Sequence, residues 1–184
     1  MNSGLIAQRY AKALLRYANE TRNEDLVYSQ VTSLVQAFQD VPQFREALER
    51  NPELSTQDRL ALMRAALAGE LCEELYRFVQ LVDSHSRMEF FSRMLIVFID
   101  KYRKSKKIKV GTLVTAVPQE GLRKRLESMV GADTGSTVSL STKVDDAIIG
   151  GFVLQVGDLR MDASVAGQFK RIKDALVEND NRII

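Results

Sequence analysis

Apolar side chains recur at three- and four-residue spacings through the first hundred positions, the period of helices that each bury one face. Ile6, Tyr10, Ala13, Leu14 and Tyr17 form the first stripe, with Ser3 as a candidate cap. Leu26, Val27, Val31, Leu34, Val35 and Phe38 form the second. Pro42 suits the first turn of a short third helix carrying Phe44 and Leu48. Asn51-Pro52 punctuates the pattern, and Ser55-Thr56-Gln57-Asp58 resembles a capping box ahead of Leu60, Met63 and Leu67. Gly69 is the expected stop of that fourth helix. Leu71, Leu75, Phe78, Val79 and Val82 make a fifth stripe, and Met88, Phe91, Leu95, Phe98 and Tyr102 a sixth. Six short amphipathic helices with brief connections predict a helical bundle.

The period changes after Lys101–Lys107. Ile108, Val110, Thr112 and Val114 recur at period two, as expected of a half-buried strand. Pro118 is the expected end of that strand, and Leu122, Leu126, Met129 and Val130 mark another helix. Gly131–Ser136 reads as a loop, after which Val138 and Leu140 begin a second strand. Gly157-Asp158 lies between the apolar runs Phe152–Val156 and Leu159–Met161, a hairpin signal. Gly150-Gly151 opens the first arm, where missing side chains predict a bulge or a second backbone lying close. Asp162-Ala163-Ser164 supplies acceptors for the free N–H groups of a final helix with Val165, Phe169, Ile172 and Leu176 on one face. The expected fold is therefore α+β: an N-terminal six-helix bundle over residues 1–105, then a small C-terminal α/β module with a β-hairpin over 106–184.

Composition narrows the function by exclusion. The chain is 45% hydrophobic and 27% charged, with a net charge of +2 shared between its halves, which argues against a dedicated nucleic-acid surface. Cys72 is the single cysteine, so no intramolecular disulfide can form and a reducing compartment is expected. The start carries no secretory pattern, and the longest apolar run, near Leu95–Ile99, is too short to span a bilayer. Lys101, Arg103, Lys104, Lys106, Lys107 and Lys109 form a real basic run. It offers an alternative reading, a small regulatory nucleic-acid-binding protein. Cations also gather at helix C-termini for electrostatic reasons, and only Tyr102 accompanies the run as a stacking surface.

Candidate chemistry dissolves on inspection. Asp83-Ser84-His85-Ser86 holds the residue types of a hydrolase triad, but contiguous residues cannot converge as nucleophile, base and orienting carboxylate. Gly131-Ala132-Asp133-Thr134-Gly135-Ser136 lacks a lysine and leads from helix to strand, the reverse of a phosphate loop. Asp145, Asp146, Asp158 and Asp162 have no calcium-loop spacing, and turn or cap roles suit each of them. No enzyme, cofactor, metal site or small-molecule substrate is predicted.

The C-terminal elements Val144-Asp145, Ile148-Ile149-Gly150-Gly151, Val156-Gly157-Asp158 and Asp162-Ala163-Ser164-Val165 closely resemble the signature of the delta subunit of F-type ATP synthases, called oligomycin sensitivity-conferring protein in mitochondria. Tyr10-Ala11-Lys12-Ala13-Leu14 with Tyr17-Ala18 is similar to the start of that family, and the likeness spans essentially the whole chain. Two departures are visible: Ala163 stands where the family often has glycine, and Ala166–Phe169 lacks the family's arginines. The resemblance implies a non-catalytic stator subunit that couples proton-driven rotation to ATP synthesis. Its helical domain would grip the N-termini of the alpha subunits, and its C-terminal domain would bind the b subunits of the peripheral stalk. By position, Tyr10, Ala13, Leu14 and Tyr17 would border the alpha-subunit groove, with Leu75, Val79 and Val82 on the facing helix. Ile149, Gly150, Gly151, Gly157, Asp158, Asp162 and Ser164 would be mostly structural. The implied location is the cytoplasmic face of a bacterial plasma membrane, with membrane association only through the complex and no nucleic-acid partner.

Overall fold

The computed structural model describes residues 3–51, 53–117 and 119–180 and divides the chain into two compact units, Met1–Ser105 and Lys106–Ile184. Pro52 and Pro118, read above as punctuation, lie outside the described residues. Among these residues the chain is α+β, with eight α-helices, two short 3-10 turns and one four-stranded mixed sheet.

The first unit holds α1 (Ser3–Thr21), α2 (Glu24–Asp40), α3 (Pro42–Arg50), α4 (Thr56–Leu67), α5 (Glu73–Ser84) and α6 (Phe91–Ser105), with a 3-10 turn at Met88–Phe90 before α6. The seam that α1 buries is Ala7, Ala11, Leu14 and Ala18, at spacings of four, three and four, with Tyr10 beside it. Its three alanines are at 0% exposure, and small side chains let α1 lie close on α6, its main partner. The bulky stripe read from the sequence is therefore rotated relative to the true inner face, and Ala13 is exposed. Phe91, Met94, Leu95 and Phe98 of α6 fill the centre at 0% exposure. Tyr28 stacks on Tyr102 with ring centroids 4.1 Å apart, and the Tyr102 hydroxyl donates to Asp25 at 2.7 Å.

Caps set several helix ends. Pro42 occupies the start of α3. Ser55 and Asp58 form a reciprocal capping box on α4, Ser55 Oγ accepting from the Asp58 N–H at 3.2 Å. Ala68, at φ 49°, takes the left-handed position that closes α4, and Gly69, the expected stop, follows it. Glu49 reaches across from α3 to accept the Ser92 N–H at 2.8 Å in the first turn of α6. Arg59 is buried, donating to the Asn51 carbonyl at 2.6 Å and lying 3.8 Å from the Asp83 carboxylate.

The second unit comprises β1 (Ile108–Thr115), α7 (Glu120–Thr134), β2 (Thr137–Val144), a 3-10 turn (Asp146–Ile148), β3 (Phe152–Val156), β4 (Leu159–Asp162) and α8 (Val165–Asp180). The sheet order is β2-β1-β3-β4, with β1 parallel to β2 and antiparallel to β3. Leu113, Leu126, Val138, Leu140, Leu154 and Val156 form the core, with Leu122, Val130 and Phe152 packed against it.

Three expectations are corrected here. On β1 the buried residues are Gly111, Leu113 and Thr115, so the alternating set Ile108, Val110, Thr112 and Val114 lies on the opposite, half-exposed face. A sheet face is chosen by what packs on it, and α7 packs on the Leu113 side. Helix α7 runs on through Gly131–Thr134, which leaves only Gly135, at φ 58°, and Ser136 before β2. On α8, Phe169 and Ile172 are exposed rather than packed, and the side chain of Leu176 lies outside the described residues.

Candidate functional site

Helices α1 and α5 run antiparallel and enclose an open trough on the surface of the helical unit. One section, about 190 Å³, is lined by Ala13, Leu14, Tyr17, Glu74, Arg77, Phe78 and Leu81. The next, about 360 Å³, is lined by Arg9, Tyr10, Ala13, Leu81, His85 and Arg87. Ala13 and Leu81 belong to both, so the two sections are continuous. Ala13 carries only a methyl group, and a small residue at the middle of a trough leaves room for another helix to approach.

The α1 residues Tyr10, Ala13, Leu14 and Tyr17 all line this trough. Those assigned to α5 do not. Leu75, Val79 and Val82 are at 0% exposure, inside the helical core. The wall is formed by the neighbouring stripe Glu74, Arg77, Phe78 and Leu81, also at helical spacing. The most apolar stripe of an amphipathic helix is the one its own domain buries, so a docking face must come from its flank. A signal was present in Leu81, a large apolar residue that remains 44% exposed on a charged face.

Electrostatics differ between the ends of the trough. Arg9 and Arg87 mark one end, where the Arg87 guanidinium donates to the Tyr10 hydroxyl at 3.1 Å and lies 5.4 Å from its ring centroid. His85 also borders this end, its Nδ1 lying 2.8 Å from the Leu81 carbonyl. At the other end Glu74 is 2% exposed, and its Oε1 accepts from the Asn23 amide at 2.8 Å. Burial pushes the Glu74 carboxyl up, but hydrogen bonds led by that of Asn23 outweigh it and hold the group below its ordinary value. Its Oε2 is buried with no hydrogen-bond partner among the described residues. Arg77 is tied to Glu73 at 2.6 Å, which raises its pKa, so its charge is largely answered locally.

The other sequence candidates resolve into structural roles. Asp83 accepts from the Thr56 hydroxyl and faces Arg59, while His85 turns to Leu81, so Asp83 and His85 do not converge as a triad. Of the basic run, Lys101, Arg103 and Lys104 belong to the last turns of α6, and Arg103 donates to the Tyr28 hydroxyl at 3.1 Å. Asp145 caps the 3-10 turn by accepting the Ala147 N–H at 3.0 Å. Asp162 accepts from both the hydroxyl and the N–H of Ser164, at 2.6 and 2.9 Å, and these bonds hold its carboxyl below the ordinary value. Ser164, 2% exposed, accepts the Gly167 N–H at 3.0 Å and so caps α8.

The glycine pair explains the rest of the signature. A Cβ on Gly151, at φ 77°, would sit 2.3 Å from the Ala163 carbonyl oxygen, so no side chain fits. Gly150 accepts the Val165 N–H at 3.0 Å, tying the start of α8 to the entry of β3. Gly157, at φ 58°, and Asp158 make the β3–β4 turn. Ile149, at φ 64° and ψ −42°, forms a three-residue turn closed by the Gly150 N–H donating to the Ile148 carbonyl at 2.7 Å. This conformation is strained for a β-branched residue, and the side chain it holds out is 72% exposed.

Comparison with known proteins places these features in a family context. The family model described as "ATP synthase delta (OSCP) subunit" matches residues 6–176. The chain is 42% identical over 186 residues to a protein of Phocaeicola vulgatus named ATP synthase subunit delta, covering 100% of both chains. It is 37% identical over 187 residues to the protein of that name from Bacteroides thetaiotaomicron, again covering 100% of both. Its fold matches a chain in the cryo-EM structure of the Toxoplasma gondii mitochondrial ATP synthase hexamer, with TM-score 0.64 and 24% identity over 93% of this chain and 97% of that one.

Proposed function

The chain belongs to the ATP synthase delta (OSCP) subunit family, and from that premise we propose how its two units divide the work. It is a non-catalytic stator subunit, a linker of the peripheral stalk, and part of a complex to which it belongs as a peripheral component. No helix among the described residues is long and apolar enough to cross a membrane.

Residues 1–105 act as a six-helix bundle domain that holds the catalytic head. The trough between α1 and α5 receives the N-terminal helix of an alpha subunit. The observation that carries this reading is the trough itself, with Ala13 at its middle and the apolar Leu14, Phe78 and Leu81 along its length. An amphipathic helix lays its apolar face into such a groove and leaves its polar face to the rim.

Residues 106–184 act as the α/β domain that binds the C-terminal end of the b subunits. Supporting this are the apolar side chains the unit leaves in solvent, with Ile149, Phe169 and Ile172 at 72%, 66% and 57% exposure. Such side chains mark interaction surfaces when they gather on one small domain. The complex sits on the cytoplasmic face of a bacterial plasma membrane. Mechanically the subunit resists torque. Two interfaces on one chain reinforce each other, since engagement of one raises the effective concentration at the other.

The test is titration of the full chain with a peptide of the cognate alpha-subunit N-terminus and, separately, with a C-terminal b-subunit fragment. Each should bind, and resonances of α1 and α5 should shift only with the alpha peptide. Shifts confined to the second unit on adding the alpha peptide would refute the assignment.

A further inference from the structure

We propose that the end of the trough bordered by Arg9 and Arg87 is a carboxylate-recognition subsite. It selects a docked helix that carries an acidic side chain beside its apolar face and rejects one with a basic residue there. This rests on the reading of the trough as the alpha-subunit site and goes beyond it, in stating what that helix must present.

Arg16, Arg50, Arg64 and Arg77 of the helical unit each have a carboxylate at 3.4 Å or closer. Arg9 and Arg87 pair with none among the described residues, and the section of trough they line contains no acidic side chain. His85 directs its Nδ1 to the Leu81 carbonyl at 2.8 Å and adds no negative charge there. Arg9 is exposed. Arg87 is half-buried, its guanidinium held by the Tyr10 hydroxyl at 3.1 Å and lying 5.4 Å from the Tyr10 ring centroid. Its side chain is therefore positioned before any partner arrives, and its remaining N–H donors make no hydrogen bond among the described residues. A guanidinium with free donors meets a carboxylate through parallel hydrogen bonds. The same section passes without a break into apolar surface at Ala13 and Leu81, which a bare inorganic anion would not use. The matching ligand is an acidic side chain on the flank of an amphipathic helix whose apolar face fills the rest of the trough. Docking a helix that lacks the acid strips water from two guanidiniums and gives them nothing in exchange. A lysine or arginine at that position opposes like charges as well. At the far end Arg77 is already bound to Glu73 at 2.6 Å. The unpaired cations among the described lining residues thus lie at one end only, which sets the register of the docked helix.

The experiment is calorimetric titration of the full chain with a synthetic peptide of the cognate alpha-subunit N-terminus, and with versions in which each acidic residue is changed in turn to its amide. One of these changes should weaken binding about two- to fivefold. Arg9→Gln and Arg87→Gln should each weaken the parent peptide by a similar factor. Peptide change and chain change combined should cost little more than the larger of the two alone, because both remove the same contact. The Arg9 side chain has no hydrogen bond or ion pair among the described residues, so Arg9→Gln leaves the Tyr10 wall and the fold in place. Arg9→Glu should weaken the parent peptide more than Arg9→Gln does, and a lysine at the coupled peptide position should restore binding to it. A peptide with no acidic residue coupled to either arginine, losses that simply multiply, or unchanged affinity in both arginine variants overturns the subsite; amide shifts in α1 and α5 would then still mark the trough as the docking site. Peptide-induced shifts confined to other surfaces, or no binding, overturn the alpha-subunit reading and the subsite with it.

Discussion

The two units differ in how much apolar surface they leave uncovered for their size. The helical unit turns its largest side chains inward, with Phe91, Phe98, Leu75 and Met94 essentially without exposure, and its surface carries a concave trough. The C-terminal unit has one sheet face covered by α7 and leaves Leu159, Met161, Ile149, Phe169 and Ile172 in solvent. Leu159 and Met161 pair in register with Val156 and Leu154, so the buried sheet face continues outward onto β4 without a cover. A groove can be built on a complete core, because only its floor needs small residues. A convex apolar surface uses side chains that its own domain has left out, and so comes with a thinner core. A small domain of this kind is marginal alone and gains most from a partner.

The contrast can be broken most severely in the helical core. Phe98→Ala should cost about 3–5 kcal/mol by cavity formation, read by urea denaturation, while resonances of β1–β4 keep their native positions. Loss of both sets together would show that the units depend on one another. In the thinner core, Leu126→Ala should cost about 2–5 kcal/mol and leave alpha-peptide affinity intact; a parallel loss of peptide binding would defeat the division of labour. Ala13→Asp tests the groove. It should weaken the alpha peptide by at least about 2 kcal/mol by placing an unpaired charge under the docked helix. Its thermal midpoint should stay within several degrees of wild type, because Ala13 is exposed in the free chain.

Ile149→Gly should raise stability by about 1 kcal/mol, since relief of the positive-φ strain exceeds the added chain entropy of glycine. It should weaken b-subunit binding at the same time. A variant that is both more stable and fully active in binding would remove Ile149 from the partner surface. The smallest effect is a pH dependence. Glu74 has a folded pKa below its ordinary value of 4.5, so its contribution is fully present above that value and is lost as pH falls through the folded one. Acid unfolding of Glu74→Gln should therefore be flatter below pH 4.5, as followed by helical circular dichroism.

Local signals in the sequence were the most legible. The Ser55–Asp58 capping box, Pro42 at the start of α3 and the Gly157-Asp158 hairpin all rest on a few neighbouring residues and match the structure. What failed was the choice of face. On α1 the alanines that contact α6 carry little hydrophobicity, so apolar bulk alone draws Tyr17 into the inner stripe and hides the seam of Ala7, Ala11 and Ala18. On β1 the β-branched set looked like the buried one, but the sheet turns Leu113 toward α7. On α5 the family likeness points to Leu75, Val79 and Val82, which the core buries, while the trough is lined by the stripe beside them. Each error is a rotation or a one-residue parity shift, which depends on a neighbour distant in sequence.

Helix α1 packs chiefly on α6, the first helix of its unit against the last. During synthesis α1 therefore leaves the ribosome long before its partner exists. At about 5–20 residues per second the wait lasts several seconds, with the alanine seam and Tyr10 uncovered. The trough cannot form until α5 and α6 have both emerged. A nascent chain thus has no completed trough until roughly its first hundred residues have left the ribosome.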